Sequence, residues 1–186
     1  MVVQIMSKMS NLTPSTAFLR PLEFLQQHPS LFDAVLADCN YALNEVSRLM
    51  QPALTAIERC QRTPYYIQAF TIGNTRFLMT NAAEQMSEIT PNALTWIIGR
   101  SPACGISVSH RTVSRCHAVI GYHPIHEFYI TDLSSSNGTR VNHRQLVPSE
   151  QYRLQDGDLL QLGGLRLEFL MAAQDRIATI DESTCY

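Results

Sequence analysis

Lysine is almost missing from this sequence of 186 residues, in which Lys8 is the one lysine among 14 cationic side chains. All the others are arginine, whose planar guanidinium grips a carboxylate or phosphate through two parallel hydrogen bonds, as lysine cannot. An overall positive charge is also missing, because the formal net charge is −2. Without a basic field that would attract nucleic acid or an acidic membrane surface, we expect neither as a partner.

Long apolar runs and paired cysteines are absent too. No stretch approaches the roughly 18 apolar residues that a membrane-spanning helix needs, and the first ten residues lack a secretory signal pattern. The five cysteines are odd in number, widely spaced and without a C-x-x-C pair, which argues against a disulfide framework or a zinc site. We expect a cytoplasmic protein without a metal or another cofactor.

The N-terminal third of the chain has a helical pattern. Residues 1–14 are irregular and predict a mobile arm, and residues 15–62 predict an amphipathic helical segment. Within it, Ser30 followed by Asp33 resembles a helix N-cap pair. Pro52 should kink the helix or end it two residues earlier.

Apolar residues in this segment recur at three- and four-residue steps, for example at Leu36, Leu43 and Met50. That spacing places them on one helical face, and a face this broad must be covered. The cover is the chain's own domain, the same helix of a second copy in a homodimer through residues 30–60, or a partner's helix. The sequence leaves these three alternatives open.

After Gln61–Pro64 the apolar period changes from 3.6 to 2 residues. Two β-rich runs flank Gly73–Asn74 and predict a hairpin. Short runs then recur about every ten residues with turn residues between them, which is typical of a β-sandwich. We predict an antiparallel sandwich of about eleven strands in two sheets over residues 63–171, followed by a polar tail over residues 172–186.

The segment 98–163 carries most of the polar motifs. Each motif joins two short apolar runs, so we expect a cluster of loops at one end of the sandwich that holds an anionic ligand. Five arginines stand against two acids between residues 99 and 146, and such a local positive excess favours an anion. The motifs are Gly99-Arg100, Ser114-Arg115-Cys116-His117, the run from Asp132 to Asn142, and Asp156-Gly157-Asp158.

Five residues of these motifs can supply donors to a phosphate, which needs several converging hydrogen bonds, preferably charged ones. Arg100 follows a predicted strand and offers its guanidinium. Ser114 offers a hydroxyl, and Arg115 offers a backbone amide or a second cation. Ser136 and Asn137 offer a hydroxyl and a carboxamide at the tip of another loop.

The four motifs in this order resemble the forkhead-associated domain, a β-sandwich that binds phosphothreonine, over residues 65–171. The resemblance implies phosphate contacts from Arg100, Ser114, Arg115 and Ser136. It further implies that Asn137 hydrogen-bonds the backbone of the bound peptide just after the phosphothreonine.

Other motif residues are expected to shape the structure and not to touch the ligand. His117 in the family pattern braces a ligand loop, and Asp156–Asp158 is a turn that shapes the loops and not a cation site. His143 stands where glycine usually completes a hairpin, so a non-glycine residue there should adopt a positive φ. The expected structural set is Gly99, His117, Asp132, Gly138, Thr139, Asn142, Asp156, Gly157, Asp158 and Gly163.

The predicted function is that of a non-enzymatic adaptor that recognises a phosphothreonine-containing protein, the substrate of a Ser/Thr kinase. The alternative is a phosphate-independent assembly module that homo-oligomerises through its N-terminal helices. A third variant has the tail phosphorylated at Thr179, Ser183 or Thr184 and bound by the same loops. An enzyme is disfavoured because Cys116 and His117, as neighbours on a strand, would point to opposite faces.

Overall fold

The computed structural model describes residue 25 and residues 28–83, 85–86, 94–125 and 127–172. Two helices, α1 (Pro29–Asp38) and α2 (Leu43–Arg59), precede all of the strands. The predicted arm and all of the predicted tail except Ala172 lie outside the described residues.

The strands occupy the chain from residue 66 to residue 171 with short connections between them. In chain order they are β1 Tyr66–Ile72, β2 Thr75–Thr80, β3 Gln85–Met86, β4 Thr95–Gly99, β5 Ile106–Ser107, β6 Ala118–His123, β7 Glu127–Asp132, β8 Thr139–Val141, β9 Arg144–Gln145, β10 Gln151–Arg153, β11 Asp158–Leu162 and β12 Leu165–Met171.

These strands form two six-stranded sheets, which confirms the predicted β-sandwich. Sheet I has the order β2-β1-β12-β11-β8-β9, and sheet II has the order β10-β7-β6-β4-β5-β3. Most neighbours are antiparallel, but β1 pairs with β12 and β4 with β5 in parallel. The sheets are therefore mixed. The predicted hairpin around Gly73–Asn74 is present as β1 and β2.

The sandwich core lies between the two sheets and consists of alternate side chains from both. Ile98, Ile120 and Ile130 of sheet II and Leu160 and Leu167 of sheet I are all fully buried in it. Burying an aliphatic side chain of this size contributes about 1.5–3 kcal/mol. This core fixes the strand ends from which the motif loops leave.

A second core lies on the outer face of sheet I, where the helices pack. Phe70 and Ile72 of β1 and Phe77 of β2 cluster there with Leu36 and Met50 of the two helices. Strand β1 is therefore buried on both faces, because Ile67 and Ala69 point into the sandwich core. The helical face is covered by the chain's own sheet, which is one of the three alternatives left open above.

The helical segment is broken where the sequence predicted continuity. Helix α1 ends at Asp38, and Asn40 and Tyr41 both adopt a positive φ, of 51° and 60°. Two left-handed residues in succession stop a helix, and asparagine accepts that conformation more readily than most residues. Helix α2 then continues through Pro52 to Arg59, so it does not end near Met50.

The start of α1 also corrects a prediction. The side chain of His28, at the N-cap position, makes no capping hydrogen bond to the helix, and Pro29 lies in the first turn. Proline suits that turn because its missing N–H would have no helical partner. Ser30 lies inside the helix and is not its cap.

Three carboxylates join the helical segment to the sandwich. Asp38 accepts the backbone N–H groups of Asn74 and Thr75 at 3.0 and 2.8 Å. Glu168, 3% exposed, accepts the N–H groups of residues 61, 62 and 63 at 2.8, 2.6 and 3.2 Å. Arg59 pairs with Asp156 at 2.7 Å. The helices are thus held by directional bonds as well as by apolar packing.

The apolar face assigned to a homodimer is not free in this arrangement. Leu36 and Met50 are 2% and 0% exposed inside a single chain. A dimer through residues 30–60 stays a prediction that would need another surface of the helices. No helix among the described residues is long and apolar enough to cross a membrane.

Candidate functional site

Loops from both sheets meet at one end of the sandwich. Strands β4, β7 and β11 end there, at Gly99, Asp132 and Leu162. Strands β6 and β8 begin there, and the register places Ala118 opposite Ile98 and Asp132, and Thr139 opposite Leu162. We call this set of connections the loop end.

Gly99 and the residues after it lie directly against the segment that carries Ser114 and Arg115. The backbone N–H of Arg100 donates to the Ser114 carbonyl at 2.9 Å, and that of Ser101 donates to the Arg115 carbonyl at 3.1 Å. A Cβ on Gly99 would lie 2.1 Å from the Arg115 carbonyl oxygen. Close approach of the two segments, and not an unusual φ, requires glycine there.

Arg100 lies exposed at the start of its loop. Its Nε donates to the Val113 carbonyl at 3.3 Å, which fixes the direction of the guanidinium. A guanidinium carries five N–H donors, so one bond of this kind leaves the group able to grip an anion. The side chain of Arg115 is also exposed, and its carbonyl oxygen accepts from Ser101.

Ser114 and Ser136 come from different loops and meet. The backbone N–H of Ser136 donates to Ser114 Oγ at 3.0 Å, and the two hydroxyl oxygens are 3.4 Å apart. Two hydroxyls, a backbone amide and the guanidinium of Arg100 therefore belong to adjoining segments. An anion bound here would receive hydrogen bonds from several directions.

His117 is fully buried behind these loops and connects two of them. Its Nδ1 accepts the backbone N–H of Ser114 at 2.9 Å, so the proton is on Nε2, which lies 3.3 Å from the Gly138 carbonyl oxygen. Burial lowers the pKa of His117, although the Gly138 hydrogen bond and the Asp132 carboxylate act in the opposite direction. The neutral imidazole positions Ser114, which is the bracing role that the resemblance implied.

Asp132 organises the loop that carries Ser136. Its carboxylate accepts the Ser135 backbone N–H at 3.0 Å, the Ser135 hydroxyl at 2.6 Å and the Thr139 hydroxyl at 2.6 Å. Burial alone would raise the pKa of this carboxyl, but the hydrogen bonds from Ser135 and Thr139 outweigh it, and the pKa lies below its ordinary value. Asp132 and Thr139 therefore hold the loop from beneath.

Asn137 extends toward a neighbouring loop, where its Nδ2 donates to the Thr112 carbonyl at 2.8 Å. Thr112 in turn accepts the backbone N–H of Gly164 at 2.7 Å through its hydroxyl. A cleft of about 230 Å³ opens beside this contact. It is lined by Thr112, Asn137, Gly138, Arg140, Gln161, Gly163 and Gly164.

Two glycines allow the strands to close around this cleft. Gly138 and Gly163 have φ of 72° and 59°, and the N–H of Gly163 donates to the Gly138 carbonyl at 3.0 Å. A Cβ on Gly163 would lie 2.5 Å from the Thr112 carbonyl oxygen. The motif pattern pointed to both glycines but not to Thr112, which carries no signal in the sequence.

The charge at the loop end is positive. Among the described residues, Arg144 pairs with Glu150, and no ion pair engages Arg100, Arg111, Arg115 or Arg140. Arg140 instead donates from Nε to Gln145 at 2.9 Å. No carboxylate of the described residues therefore competes with an anionic ligand for Arg100, Arg111, Arg115 or Arg140. The described residues contain no cluster of side chains suited to a metal ion.

A protein-family model supports the resemblance to the forkhead-associated domain. Residues 96–163 match the model described as FHA domain, which is the forkhead-associated family. This segment is an FHA domain. The match contains every motif residue from Gly99 to Gly163, whereas β1, β2, β12 and both helices lie outside it. FHA domains are phosphopeptide-binding modules and not enzymes.

The curated relatives match only part of the chain. FHA domain-containing protein PS1 of Arabidopsis thaliana is 33% identical over 69 residues, which cover 37% of this chain and 5% of that protein. An oxoglutarate dehydrogenase inhibitor of Corynebacterium efficiens is 42% identical over 72 residues, covering 39% and 48%. The chain thus matches less than half the length of each of these relatives.

A solved structure gives a similar comparison. The N-terminal FHA domain of Saccharomyces cerevisiae Rad53p, solved in complex with a phosphothreonine peptide, is 27% identical. The alignment covers 38% of this chain and 58% of that one with a TM-score of 0.35.

Part of the predicted motif lies at the opposite end of the FHA domain. Because β11 runs from Asp158 to Leu162, Asp156–Asp158 lies away from the loop end. Asp156 accepts the N–H of Met171 at 2.7 Å and pairs with Arg59 of α2. The expectation that this turn shapes the ligand loops is wrong, since it anchors the helical segment instead.

Asn142 belongs to this opposite end as well. It donates to Asp158 at 2.6 Å and accepts the N–H of Leu159 at 2.9 Å. Asn142 and His143 adopt φ of 48° and 74°, as expected for a hairpin turn that lacks glycine. Gly157 also has a positive φ, of 82°. Asn142 and His143 close the turn between β8 and β9, and Gly157 lies in the connection between β10 and β11.

Proposed function

We propose that the chain is a non-enzymatic adaptor that binds phosphothreonine on a partner protein through the loop end of its FHA domain. The observation that carries the proposal is the contact between the Ser114 and Ser136 segments, with Ser136 N–H 3.0 Å from Ser114 Oγ. Two loops distant in sequence thereby present their hydroxyls together, next to the exposed cation of Arg100. A phosphate dianion is the ligand that this set of donors suits.

The five predicted contacts have graded roles in this proposal. Arg100 supplies charge, and Ser114 and Ser136 supply hydroxyls. Arg115 supplies its backbone amide or its exposed guanidinium. Asn137 would release or share its bond to the Thr112 carbonyl in order to hold the peptide backbone.

Threonine is proposed as the phosphorylated residue because of its methyl group. A buried methyl contributes only about 0.8 kcal/mol, which corresponds to about fourfold selectivity over serine. A larger measured ratio would mean that the methyl also fixes the orientation of the phosphate. We further propose that a Ser/Thr kinase in the cytoplasm supplies the phosphate.

Peptide binding by wild type and Arg100→Ala tests the proposal. The probe is a fluorescent peptide library with a fixed phosphothreonine and degenerate flanks, and the sequence it selects is then titrated by anisotropy. We expect Arg100→Ala to weaken binding by about tenfold or more, because a hydrogen bond to a charged group is lost. The unphosphorylated peptide should not bind measurably.

Arg153→Ala is the matched control. Arg153 is an exposed arginine on β10 that faces Glu127, at the far end of sheet II from the loops. Arg153→Ala removes the same charge as Arg100→Ala and should leave the affinity for the phosphothreonine peptide unchanged. Equal affinity in wild type and Arg100→Ala would refute the proposal, and equal losses in both variants would reduce it to non-specific electrostatics.

A further inference from the structure

Two cysteines meet beside the phosphate loops. Cys104 belongs to the turn that follows Arg100, and Cys116 directly follows Arg115. Cys104 is buried at 3% exposure, whereas Cys116 is exposed. Cys104 Sγ lies 3.1 Å from the carbonyl oxygen of Arg115, the residue directly before Cys116.

The backbone explains why residues twelve positions apart in the sequence come together. The N–H groups of Arg100 and Ser101 donate to the carbonyls of Ser114 and Arg115, so the two segments run side by side. The N–H of Cys104 then donates to the Ser101 carbonyl at 3.0 Å, which turns the chain back toward Cys116. The space beside Gly99, whose Cβ would lie 2.9 Å from Cys104 Sγ, receives the thiol.

The other described cysteines lack such a partner thiol. Cys39 is buried after α1, and Cys60 is half-buried after α2, where its thiol donates to the Ala56 carbonyl at 3.4 Å. Cys185 lies outside the described residues. A lone structural thiol has nothing to condense with, whereas a close pair can form a disulfide once one sulfur is oxidised.

We propose that Cys104 and Cys116 are a reversible redox site, at which a peroxide converts the two thiols to a disulfide and so weakens phosphothreonine binding. The effect on binding rests on the function proposed above, whereas the formation of the disulfide does not. Two observations carry it: the 3.1 Å contact of Cys104 Sγ with the residue before Cys116, and the place of both cysteines on the two paired segments that bear Arg100 and Arg115.

The chemistry balances with hydrogen peroxide as the oxidant. Cys116 sulfur, as the thiolate, attacks one peroxide oxygen, the O–O bond breaks, and the departing hydroxide takes up a proton to give water and a sulfenic acid. Cys104 then loses its proton and its sulfur attacks the Cys116 sulfur, breaking the S–O bond and releasing a second water. Two thiols and one peroxide give one disulfide and two waters.

The order of the steps follows from exposure. Cys116 can be reached from solvent, and Cys104 cannot. Burial raises the pKa of the Cys104 thiol, and the neighbouring Cys116 raises it further, so Cys104 stays protonated until a sulfenic acid forms beside it. Cys116 is thus the sulfur that meets the oxidant, and Cys104 is the one that resolves it.

Oxidation should disturb the site because a covalent S–S bond is much shorter than any contact between two separate thiols. Drawing Cys116 inward pulls on Arg115 and Ser114, which precede it. The Arg115 carbonyl also loses the S–H donor of Cys104. The Ser114 hydroxyl moves relative to Ser136, and the donors no longer converge as they do in the reduced protein.

Full-length protein treated with hydrogen peroxide, and then freed of it, tests the proposal in two readouts. Non-reducing peptide mapping by mass spectrometry should find the Cys104 and Cys116 peptides cross-linked. Anisotropy with the selected phosphothreonine peptide should give a Kd about tenfold higher, restored by dithiothreitol. Cys116→Ser should bind the peptide like the reduced wild type, and peroxide should not change its affinity. Cys60→Ser should lose affinity on peroxide treatment as wild type does.

The two readouts separate the outcomes. Overoxidised Cys116 without a cross-link to Cys104 would overturn the redox site, as would an unchanged response in Cys116→Ser. A mapped cross-link with equal affinity before and after oxidation would overturn its effect on binding. If the reduced protein binds no phosphothreonine peptide, the proposed function fails together with that effect, while the mapping still decides whether the disulfide forms.

Discussion

The loop end and the helix-covered face of sheet I are held together in different ways. On the helix-covered face, fully buried apolar side chains pack, and the rings of Phe70 and Phe77 stack with centroids 4.8 Å apart. At the loop end, the candidate ligand contacts are polar, and their loops are held by backbone N–H groups that donate to His117 and Asp132. Apolar contact depends on area, whereas these bonds depend on direction.

This difference suggests that stability and ligand binding depend on different regions of this small protein. Stability should depend most on the two cores, which exclude water from large side chains. Ligand geometry should depend on a few buried polar groups, each of which places a particular donor. Sheet I connects the regions, because β8 and β11 reach the loop end and β1 and β2 carry the helices. Substitutions in the two regions should therefore have separable effects.

The largest expected effect is on the helix-covered face. Phe77→Ala should lower the free energy of unfolding by about 3–5 kcal/mol, since a fully buried aromatic ring is replaced by a cavity. The folded fraction should bind the phosphothreonine peptide as wild type does. Urea denaturation and anisotropy measure the two quantities, and Ile125→Ala, at a side chain 76% exposed, is the control. A large loss of affinity in folded Phe77→Ala would show that the regions are not separable.

A smaller effect on stability, joined to an effect on binding, is expected at Asp132. Asp132→Asn should cost about 2 kcal/mol, because hydrogen bonds to a buried charge are weakened, and it should also weaken peptide binding as the Ser135 turn loosens. The pKa of Asp132 is depressed in the folded protein. Its contribution is thus present above the ordinary carboxyl pKa of about 3.9 and is lost as pH falls through the lower folded value.

Urea denaturation over a pH series measures this contribution. The gap in stability between wild type and Asp132→Asn should narrow toward low pH. Asp33→Asn, at an exposed carboxylate on α1, should track wild type throughout. A difference in stability between wild type and Asp132→Asn that is the same at all pH values would mean that the charge of Asp132 does not contribute to stability.

The smallest expected effect is the pH dependence caused by His117. Its pKa is lowered in the folded state, so the unfolded chain takes up a proton first as pH falls below about 6.5. The stability that the neutral His117 ring contributes is fully present above about pH 6.5. It is lost as the pH falls from there to the lower pKa of the folded protein. Wild type should therefore lose more stability than His117→Gln between pH 7.5 and about 5.5. An NMR titration of the His117 ring provides a direct second measurement, and an unshifted titration would contradict the prediction.

The sequence predicted the loop residues better than the connections between regions. Gly99, Ser114, His117 and Gly138 could be recognised because short motifs encode their roles locally. Thr112 was missed because it acts through contacts with Asn137 and Gly164, which are far away in the sequence. The Asp156–Asp158 turn was assigned to the wrong end of the sandwich, because the direction of β11 in the sheet is not readable from a turn motif.

The helical segment gives the same lesson. The apolar spacing predicted the buried face but not the break after Asp38, since neither glycine nor proline marks it. The two left-handed residues there, Asn40 and Tyr41, are exposed at the turn between the helices.

The sequence by itself determined the alternation of strands, the Gly73–Asn74 hairpin, and the motif residues of the FHA domain, because each depends on neighbours only a few residues away. Tertiary structure alone decided that sheet I covers the helical face, that Glu168 and Asp156 hold the helical segment, and that Cys104 meets Cys116. These features need residues distant in the chain to be brought together, and the packing of the two sheets supplies that.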